Sequence, residues 1–212
     1  NKFFTLIGSD VHSKEKIKLP YHMGSMDKIK PGKELIEKWI KKYSGPYLIT
    51  EKLDGVSGLF VVNNDEKKLY TRGNGTYGTD ISSLIKYIKS LNQKFKKNIA
   101  VRGEFIISKK NFTKYENDYS NSRAMVSGLI NKKTTNQEEF KYIDFICYEL
   151  ITSTDKMIYT PLKQLEILEE YNLDVFNYNL VKTISEEELI SILKIKKQKS
   201  KYEIDGLVIY DN

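Results

Sequence analysis

The stretch ITEKLDGVSG, residues 49–58, places a lysine and an aspartate two positions apart, with a glycine directly after them. Apolar residues typical of buried strands lie on both sides of this group. A lysine amine is a competent nucleophile when it is neutral and partly removed from water. Lys52 is therefore either a nucleophile or one more surface charge in a lysine-rich chain, and the residues around it must decide between the two.

Three further strand-like stretches carry charged residues beside a glycine, where a buried strand would normally carry valine. They are TRGNGTYG, VRGEF and EIDGLVI. A glycine next to a charged residue on a strand lets a ligand or another backbone approach closely. The charged positions of the four stretches are Lys52, Asp54, Arg72, Arg102, Glu104, Glu203 and Asp205. Their repetition predicts one pocket lined by a lysine, two arginines and several carboxylates.

Such a pocket suits phosphate chemistry. Arginines bind phosphate oxygens, and carboxylates hold hard divalent cations such as Mg²⁺ through oxygen. Nearby positive charge favours the neutral form of a lysine, so we expect the Lys52 amine to attack a nucleotide phosphate. The competing interpretation is that these residues form ion pairs at strand edges. For any single pair that interpretation is the simpler one, and only the set as a whole argues against it.

Hydrophobic periodicity predicts the helices that would position this pocket. The stretch GKELIEKWIKKY predicts a helix with one apolar face made of Leu35, Ile36, Trp39, Ile40 and Tyr43. Further helices are predicted from Asp80 to Leu91, in SRAMVSGLI, after Thr160-Pro161, and after Ser185, which forms a capping box with Glu188. Ser108 is predicted to cap a short helix.

The predicted strands are YLIT, GLFVVN, KLYTR, NIAVRGEFIIS, YIDFICYEL and YEIDGLVIY. They do not alternate regularly with helices, which favours an α+β fold with largely antiparallel sheets flanked by helices. Residues 1–31 are predicted to be an irregular lead-in and residues 32–212 one domain. Because no covering element follows the last strand, we expect the chain to be part of a longer protein.

Composition limits the remaining classes of function. The 212 residues carry a formal charge of +7, and Cys147 is the single cysteine, which excludes a disulfide framework or a four-cysteine zinc site. The sequence has no apolar run of membrane-spanning length and no signal-peptide pattern, so an intracellular location is expected. His12 and His22 lack metal-ligand spacing, and GNGTYG lacks the Lys-Ser/Thr of a P-loop.

The positive charge permits a polyanionic partner such as nucleic acid. It is arranged in small groups: Lys94, Lys96 and Lys97; Lys109 and Lys110; Lys132 and Lys133; and Lys196, Lys197, Lys199 and Lys201. For any one group, lysines that only solvate a helix are an equally good interpretation.

Several stretches resemble known motifs in the order and spacing of one family. EKLDG resembles motif I of the covalent nucleotidyltransferases, which comprise DNA ligases, RNA ligases and mRNA capping enzymes. TRGNGTYGTDIS and NSRAMVSGLI resemble two segments characteristic of NAD-dependent DNA ligases. VRGEFIIS, DFICYEL and YEIDGLVIY resemble motifs III, IIIa and IV, and HMGSMDK resembles the segment that precedes the domain. The resemblance runs from about residue 20 to the end of the chain.

The resemblance implies the covalent nucleotidyltransferase fold and the adenylation domain of an NAD-dependent DNA ligase. Lys52 would attack the α-phosphate of NAD, hold AMP, and pass it to the 5′-phosphate of nicked double-stranded DNA for sealing. The residues implied to bind the nucleotide are Glu51, Asp54, Gly55, Arg72, Glu104, Arg123 and Tyr148. Asp205, with Glu203, would position Mg²⁺.

Three positions depart from the pattern of the family. The glutamate that usually stands two residues before the lysine is replaced by Thr50, the final lysine of motif IV by Tyr210, and an acidic turn residue by Asn74. TEKLDG is in this respect closer to RNA ligases. The alternatives are therefore an ATP-dependent DNA or RNA ligase, with ATP as the AMP donor, or an inactive nucleic-acid-binding relative.

The resemblance also sets expectations for the rest of the protein. Motif V and an OB-fold would follow Asn212, and a domain recognising nicotinamide mononucleotide has no counterpart in residues 1–31. We expect a monomer without membrane association, located in a bacterial cytoplasm or, for a viral protein, in the host cell.

Overall fold

A computed structural model describes residues 15–30, 32–132, 137–151 and 158–212; His12 and Lys133 lie outside these ranges. The strands are β1 (Lys16–Lys18), β2 (Tyr47–Leu53), β3 (Val56–Asn63), β4 (Glu66–Thr71), β5 (Tyr77–Thr79), β6 (Ile99–Ile107), β7 (Ile143–Ile151), β8 (Tyr178–Val181) and β9 (Ile204–Asp211). The helices are α1 (Lys33–Lys42), α2 (Lys109–Phe112), α3 (Ser122–Asn131), α4 (Gln137–Phe140), α5 (Pro161–Glu170) and α6 (Glu186–Lys199).

Two antiparallel sheets form the body of the domain. One has the strand order β8-β2-β9 and the other the order β4-β3-β6-β7, while β1 and β5 form a separate pair. Buried apolar residues of both sheets, such as Leu48 of β2 and Phe105 of β6, belong to one core that also includes residues of α3 and α5. Residues of β2, β6, β7 and β9 can therefore meet where the two sheets face each other; we call the region around Lys52, Glu104, Arg123 and Tyr148 the cleft.

Helices α1 and α6 cover the outer face of the three-stranded sheet. Ile36, Trp39 and Ile40 of α1 pack with Tyr47 and Ile49 of β2 in a second apolar cluster, which includes Leu189 of α6. The predicted helix is confirmed, but Leu35 was wrongly placed on its inner face. Its side chain is 52% exposed, because it lies beside the stripe that Ile36, Trp39 and Tyr43 form.

Most of the local sequence predictions are confirmed. Ser108 accepts a hydrogen bond from Asn111 N at 3.2 Å, Thr160 caps α5, and Ser185 and Glu188 form the capping box of α6. The lead-in contains a strand, Lys16–Lys18, paired with β5. The boundary at residue 32 stays a prediction. Among the described residues no helix is both long and apolar enough to cross a membrane.

The helix predicted from Asp80 to Leu91 is instead a 3₁₀ helix over Ser82–Tyr87. Its start is held against β4, because Ile81 N donates to Leu69 O at 2.8 Å and Leu69 N donates to the Ser82 hydroxyl. The segment continues with hydrogen bonds of the i to i+3 type, such as Ile88 N to Ile85 O. Ile81, Ile85 and Ile88 are buried as predicted, but not on the face of an α-helix.

Candidate active site

Lys52 lies near the end of β2, opposite a bulge in β9. Lys52 pairs with Gly206 and Leu53 pairs with Ile204, so that Asp205 is an extra residue without a partner in the ladder. The bulge directs the Asp205 carboxylate to Lys52, whose Nζ lies 2.7 Å from both carboxylate oxygens. Both side chains remain about two-fifths exposed, at 42% and 44%. The amine is thus positioned by the protein and open to a ligand.

Tyr148 is presented by a second bulge, in the other sheet. Arg102 pairs with Glu149 and Gly103 pairs with Cys147, which leaves Tyr148 as the extra residue of β7. Burial, with a smaller contribution from the nearby Glu104 carboxyl, raises the pKa of the Tyr148 hydroxyl to about 12. A neutral, half-buried aromatic ring at this place has the character needed to stack on a flat base.

Glu104 lies on β6, opposite Ser57 of β3, and is buried. The Ser57 hydroxyl donates to Glu104 Oε2 at 2.8 Å. Burial raises the pKa of the Glu104 carboxyl to about 7, against the opposing effects of the Ser57 hydrogen bond and of the positive charges of Arg123 and Lys52. Because both cations act on this carboxyl, Glu104 belongs to the same site as the nucleophile candidate.

Arg123, on α3, connects the helix to the loop between β2 and β3. Its guanidinium lies 3.3 Å from Asp54 Oδ1 and also donates to the Gly55 carbonyl. Gly55 is required for the loop to pass this close to β6, since a Cβ atom there would lie 2.2 Å from Phe105 O. Asp54, Gly55 and Arg123 therefore form one wall of the cleft.

The two arginines predicted for the pocket hold the lead-in segment. Arg72 Nε donates to Met23 O at 3.2 Å, and Arg102 donates to His22 O while pairing with Glu149. Within the described part of the chain the terminal NH groups of Arg72 make no hydrogen bond, so Arg72 keeps donors for a ligand. Arg102 is more fully engaged by the protein itself.

Glu51 is placed away from the cleft. As the neighbour of Lys52 on an extended strand it points to the opposite face, where it is only 5% exposed. Its carboxylate lies 3.6 Å from Lys196 Nζ and accepts from the Ser200 hydroxyl at 3.0 Å, both at the end of α6. The structure does not bring Glu51 together with the other predicted nucleotide-binding residues.

The positions that depart from the motifs are buried or structural. Thr50 is fully buried, with its hydroxyl 3.4 Å from Val208 O, and Tyr210 packs against the main core near Tyr148 and Glu149. Burial raises the pKa of the Tyr210 hydroxyl above its ordinary value. Asn74 Oδ1 accepts from the backbone N–H groups of Thr76 and Tyr77, as an aspartate could, so the turn is preserved.

Sequence reasoning missed Ser57, whose hydroxyl partners Glu104, and Glu149, whose carboxylate fixes Arg102 beside the Tyr148 bulge. The signal for Ser57 was present, since a small polar residue inside the apolar strand VSGLFVVN faces the position of Glu104. Only the register of β3 against β6, which pairs Ser57 with Glu104, shows that the two side chains are in contact.

The fit of Mg²⁺ rests on Asp205 and Glu203. Mg²⁺ commonly takes one or two carboxylates and completes its shell with water and substrate phosphates. Asp205 faces the cleft, whereas the Glu203 carboxylate lies 4.0 Å from Lys109 Nζ. Among the described residues no group of three or more metal-ligating side chains is assembled. The donors present among the described residues would therefore suit a magnesium ion that substrate phosphates help to hold, and do not suit a metal held by protein alone.

Comparison with known proteins gives consistent results. A family model described as the NAD-dependent DNA ligase adenylation domain matches residues 16–212. A DNA ligase of Acanthamoeba polyphaga mimivirus is 45% identical over 217 residues, covering 100% of this chain and 33% of the viral protein. A DNA ligase of Clostridioides difficile strain 630 is 30% identical over 192 residues, covering 83% and 28%. The chain thus spans about a third of the length of the curated relatives it matches.

Solved structures support the fold. An RNA ligase of Naegleria gruberi, in a mutant form with ATP and Mn, has a TM-score of 0.52 and 16% identity, covering 91% of this chain and 54% of that one. At this level of identity the similarity concerns the fold alone. It confirms the predicted α+β covalent nucleotidyltransferase fold.

Proposed function

Because this chain belongs to the family of NAD-dependent DNA ligase adenylation domains, we propose that Lys52 forms a covalent lysyl-AMP intermediate in the first step of DNA ligation. The AMP donor in this proposal is NAD. The observation that carries the proposal is the Lys52–Asp205 pair, with both oxygens at 2.7 Å from Nζ, at the open side of a cleft that also holds Glu104, Arg123 and Tyr148.

In the proposed step the Lys52 amine lone pair attacks the α-phosphorus of NAD. A P–N bond forms, the P–O bond to nicotinamide mononucleotide breaks, and nicotinamide mononucleotide leaves. The amine must lose a proton to attack, and the Asp205 carboxylate at 2.7 Å is placed to accept it. Mg²⁺, held through Asp205, would neutralise negative charge at the phosphate, whereas the Glu203 carboxylate, predicted to share this ion, lies near Lys109.

The other residues of the cleft have proposed roles that follow from their positions. The Tyr148 ring stacks on adenine, and Glu104 with Ser57 binds ribose hydroxyls, for which a buried carboxyl and a hydroxyl are suitable partners. Arg123 and the free NH groups of Arg72 bind phosphate. Asp54 orients Arg123 through the contact at 3.3 Å.

The complete ligation reaction involves the longer protein. We propose that AMP passes from Lys52 to the 5′-phosphate of nicked double-stranded DNA, after which the 3′-hydroxyl displaces it. In this proposal residues 32–212 act as the adenylation domain of a monomeric protein located in a bacterial cytoplasm or, if viral, in the host cell. The 45% identity to a mimivirus DNA ligase supports the viral possibility.

The test is intact-mass measurement of the protein with its native flanks after incubation with Mg²⁺ and NAD. We expect one added AMP, complete loss of labelling in Lys52→Ala, and no rescue in Lys52→Arg, which keeps the charge but not an attacking amine. Labelling that survives in Lys52→Ala would show that another residue is the nucleophile. Absence of labelling with either NAD or ATP would overturn the proposed activity.

A parallel incubation with ATP tests the second candidate donor. TEKLDG, with Thr50 two residues before Lys52, favours this candidate, since it is in this respect closer to RNA ligases. Labelling by ATP without labelling by NAD would replace NAD in the proposal and leave the role of Lys52 unchanged.

A further inference from the structure

Two segments far apart in the sequence, the start of α2 and the end of α6, together form a basic surface. Lys109 N donates to Lys201 O at 2.9 Å, and Lys109 Nζ donates to Lys197 O at 2.7 Å. Ser108 and Tyr202 form a β-bridge directly beside these contacts. We call this surface the α2–α6 lysine patch; it consists of Lys109, Lys110, Lys197, Lys199 and Lys201.

Three lysines of the patch are available for a partner. Lys110, Lys197 and Lys199 are exposed, and in the described ranges their side chains make no hydrogen bond or ion pair. The other two are engaged: Lys201 Nζ lies 3.1 Å from Asp144, and Lys109 Nζ lies 4.0 Å from Glu203. Five lysines therefore meet two carboxylates, and the positive charge of the patch exceeds what the fold itself neutralises.

Helix stability explains only part of this arrangement. Cations in the last turn of a helix are favoured by its dipole, which accounts for Lys197 and Lys199 at the end of α6. Helix α2 has only four residues, so its dipole does not account for Lys109 and Lys110. Lys109 Nζ donates to Lys197 O at the end of α6, which is a structural role, whereas the exposed side chain of Lys110 makes no hydrogen bond or ion pair among the described residues.

The patch adjoins the nucleophile. Glu203, which contacts Lys109, also accepts the Asp54 N–H through its backbone oxygen at 2.9 Å, and Asp205 follows two residues later as the partner of Lys52. A second exposed lysine group, Lys94, Lys96 and Lys97, precedes the opposite end of β6, where Asn98 bonds to Asn63 and Asn64. The α2–α6 lysine patch is thus linked through Glu203 to the strand that carries Asp205, whereas the group of Lys94, Lys96 and Lys97 is not.

We infer that the α2–α6 lysine patch binds the phosphate backbone of duplex DNA and holds it beside Lys52. The identity of this polyanion rests on the proposed function, whereas the surface itself rests on the contacts above. Flexible lysines on short and terminal helical turns suit contact with successive phosphates, which positions a duplex without reading its sequence. The patch should therefore contribute equally to the affinity for nicked and for intact duplex DNA. In this inference, recognition of the nick itself falls to the residues of the cleft.

The experiment compares two variants that remove the same charge from the protein with its native flanks. The patch variant carries Lys110→Ala, Lys197→Ala and Lys199→Ala, and the control carries Lys94→Ala, Lys96→Ala and Lys97→Ala. Affinity for nicked duplex DNA, intact duplex DNA and an RNA duplex is measured by fluorescence anisotropy over a range of salt concentrations. Affinity falls as salt rises, and each lost phosphate contact makes the slope of log affinity against log salt less steep by about 0.9. The slope of the patch variant should therefore be less steep than that of the parent by about 2 to 3.

The control variant should keep the slope of the parent within about one contact. An unchanged slope in the patch variant would overturn the inference. An equal decrease in both variants would also overturn it, because net charge alone would then account for binding. Loss of slope confined to an RNA duplex would replace DNA as the partner and overturn the inference as stated. Lysyl-AMP formation without DNA is measured in parallel, so the proposed function and the patch can fail separately.

Discussion

Glu51 and Lys52 are neighbours on one strand, and each forms an ion pair with a residue from the last fifth of the chain. Glu51 pairs at 3.6 Å with Lys196, and the two side chains are only 5% and 13% exposed. Lys52 pairs at 2.7 Å with Asp205, and both of these side chains are more than two-fifths exposed. One pair joins the sheet to α6, and the other opens into the cleft.

The difference shows that charge and position in the sequence do not by themselves mark a functional residue. Alternation along β2 sends the two side chains to opposite faces, and the surroundings of each face decide what the charge does. A buried pair is costly to break, because removing one partner leaves the other unpaired in a poorly solvated place. An exposed pair contributes little to stability, and its members remain free for chemistry.

The largest expected effect on stability is therefore that of Glu51→Ala. The variant leaves Lys196 and the Ser200 hydroxyl without their buried partner, and we expect the free energy of unfolding to fall by about 3 kcal/mol. Chemical denaturation measures this change. Lys196→Ala serves as the matched control, and a double-mutant cycle should give a coupling energy above about 1 kcal/mol between the two positions. A loss below about 1 kcal/mol would show that the pair is not structural.

Glu104 sharpens the comparison, since it is buried like Glu51 but lies in the cleft like Lys52. Its carboxyl pKa is about 7 in the folded protein, against 4.5 for an ordinary glutamate. Between these values the folded protein keeps a proton that the unfolded chain has released, so stability is lost as the pH rises toward 7 and through it. From pH 5 to pH 7 this contribution should fall by about 2 kcal/mol.

The comparison of the parent with Glu104→Gln isolates this effect, because glutamine does not titrate. Denaturation at several pH values should show the parent losing stability relative to the variant between pH 5 and pH 7. A difference between the two proteins that is independent of pH would mean that Glu104 is charged in the folded state throughout this range.

The smallest expected effect is that of Asp205→Asn on stability. The Lys52–Asp205 pair is exposed, and the substitution should change the free energy of unfolding by less than about 1 kcal/mol. Lysyl-AMP formation should fall strongly in the same variant, because the proposed proton acceptor of Lys52 is lost. A large loss of stability would break the distinction between the two pairs on β2.

The fold was largely predictable because its local signals are strong. Alternating apolar residues in GLFVVN and the capping residues Ser108 and Ser185 each act within a few positions, so they can be read one segment at a time. The stretch after Asp80 could not be read in this way. Its isoleucines fit an α-helical face. The segment is instead a 3₁₀ helix whose start is hydrogen-bonded to β4, and a tertiary contact of this kind cannot be read from the segment alone.

The candidate site was predictable as a set of residues and not as a geometry. Lys52, Glu104, Arg123, Tyr148 and Asp205 could be named because charges or aromatic rings interrupt apolar strands or match family motifs. The position of Glu51 on the outer face follows from pleat and register, and the engagement of Arg102 by Glu149 and His22 follows from the packing of the lead-in. Neither the placement of Glu51 nor the contacts of Arg102 can be predicted from residue type or spacing.

The two bulges have a consequence for how such a site can change over time. Asp205 and Tyr148 are the residues that the hydrogen-bonded ladders of their strands do not need, since the ladder continues on both sides of each. Deletion of Asp205 would leave β2 and β9 able to pair without a bulge, and deletion of Tyr148 would do the same for β6 and β7. The sheets could thus keep their pairing after such a deletion, while the proposed roles of Asp205 and Tyr148 would be lost.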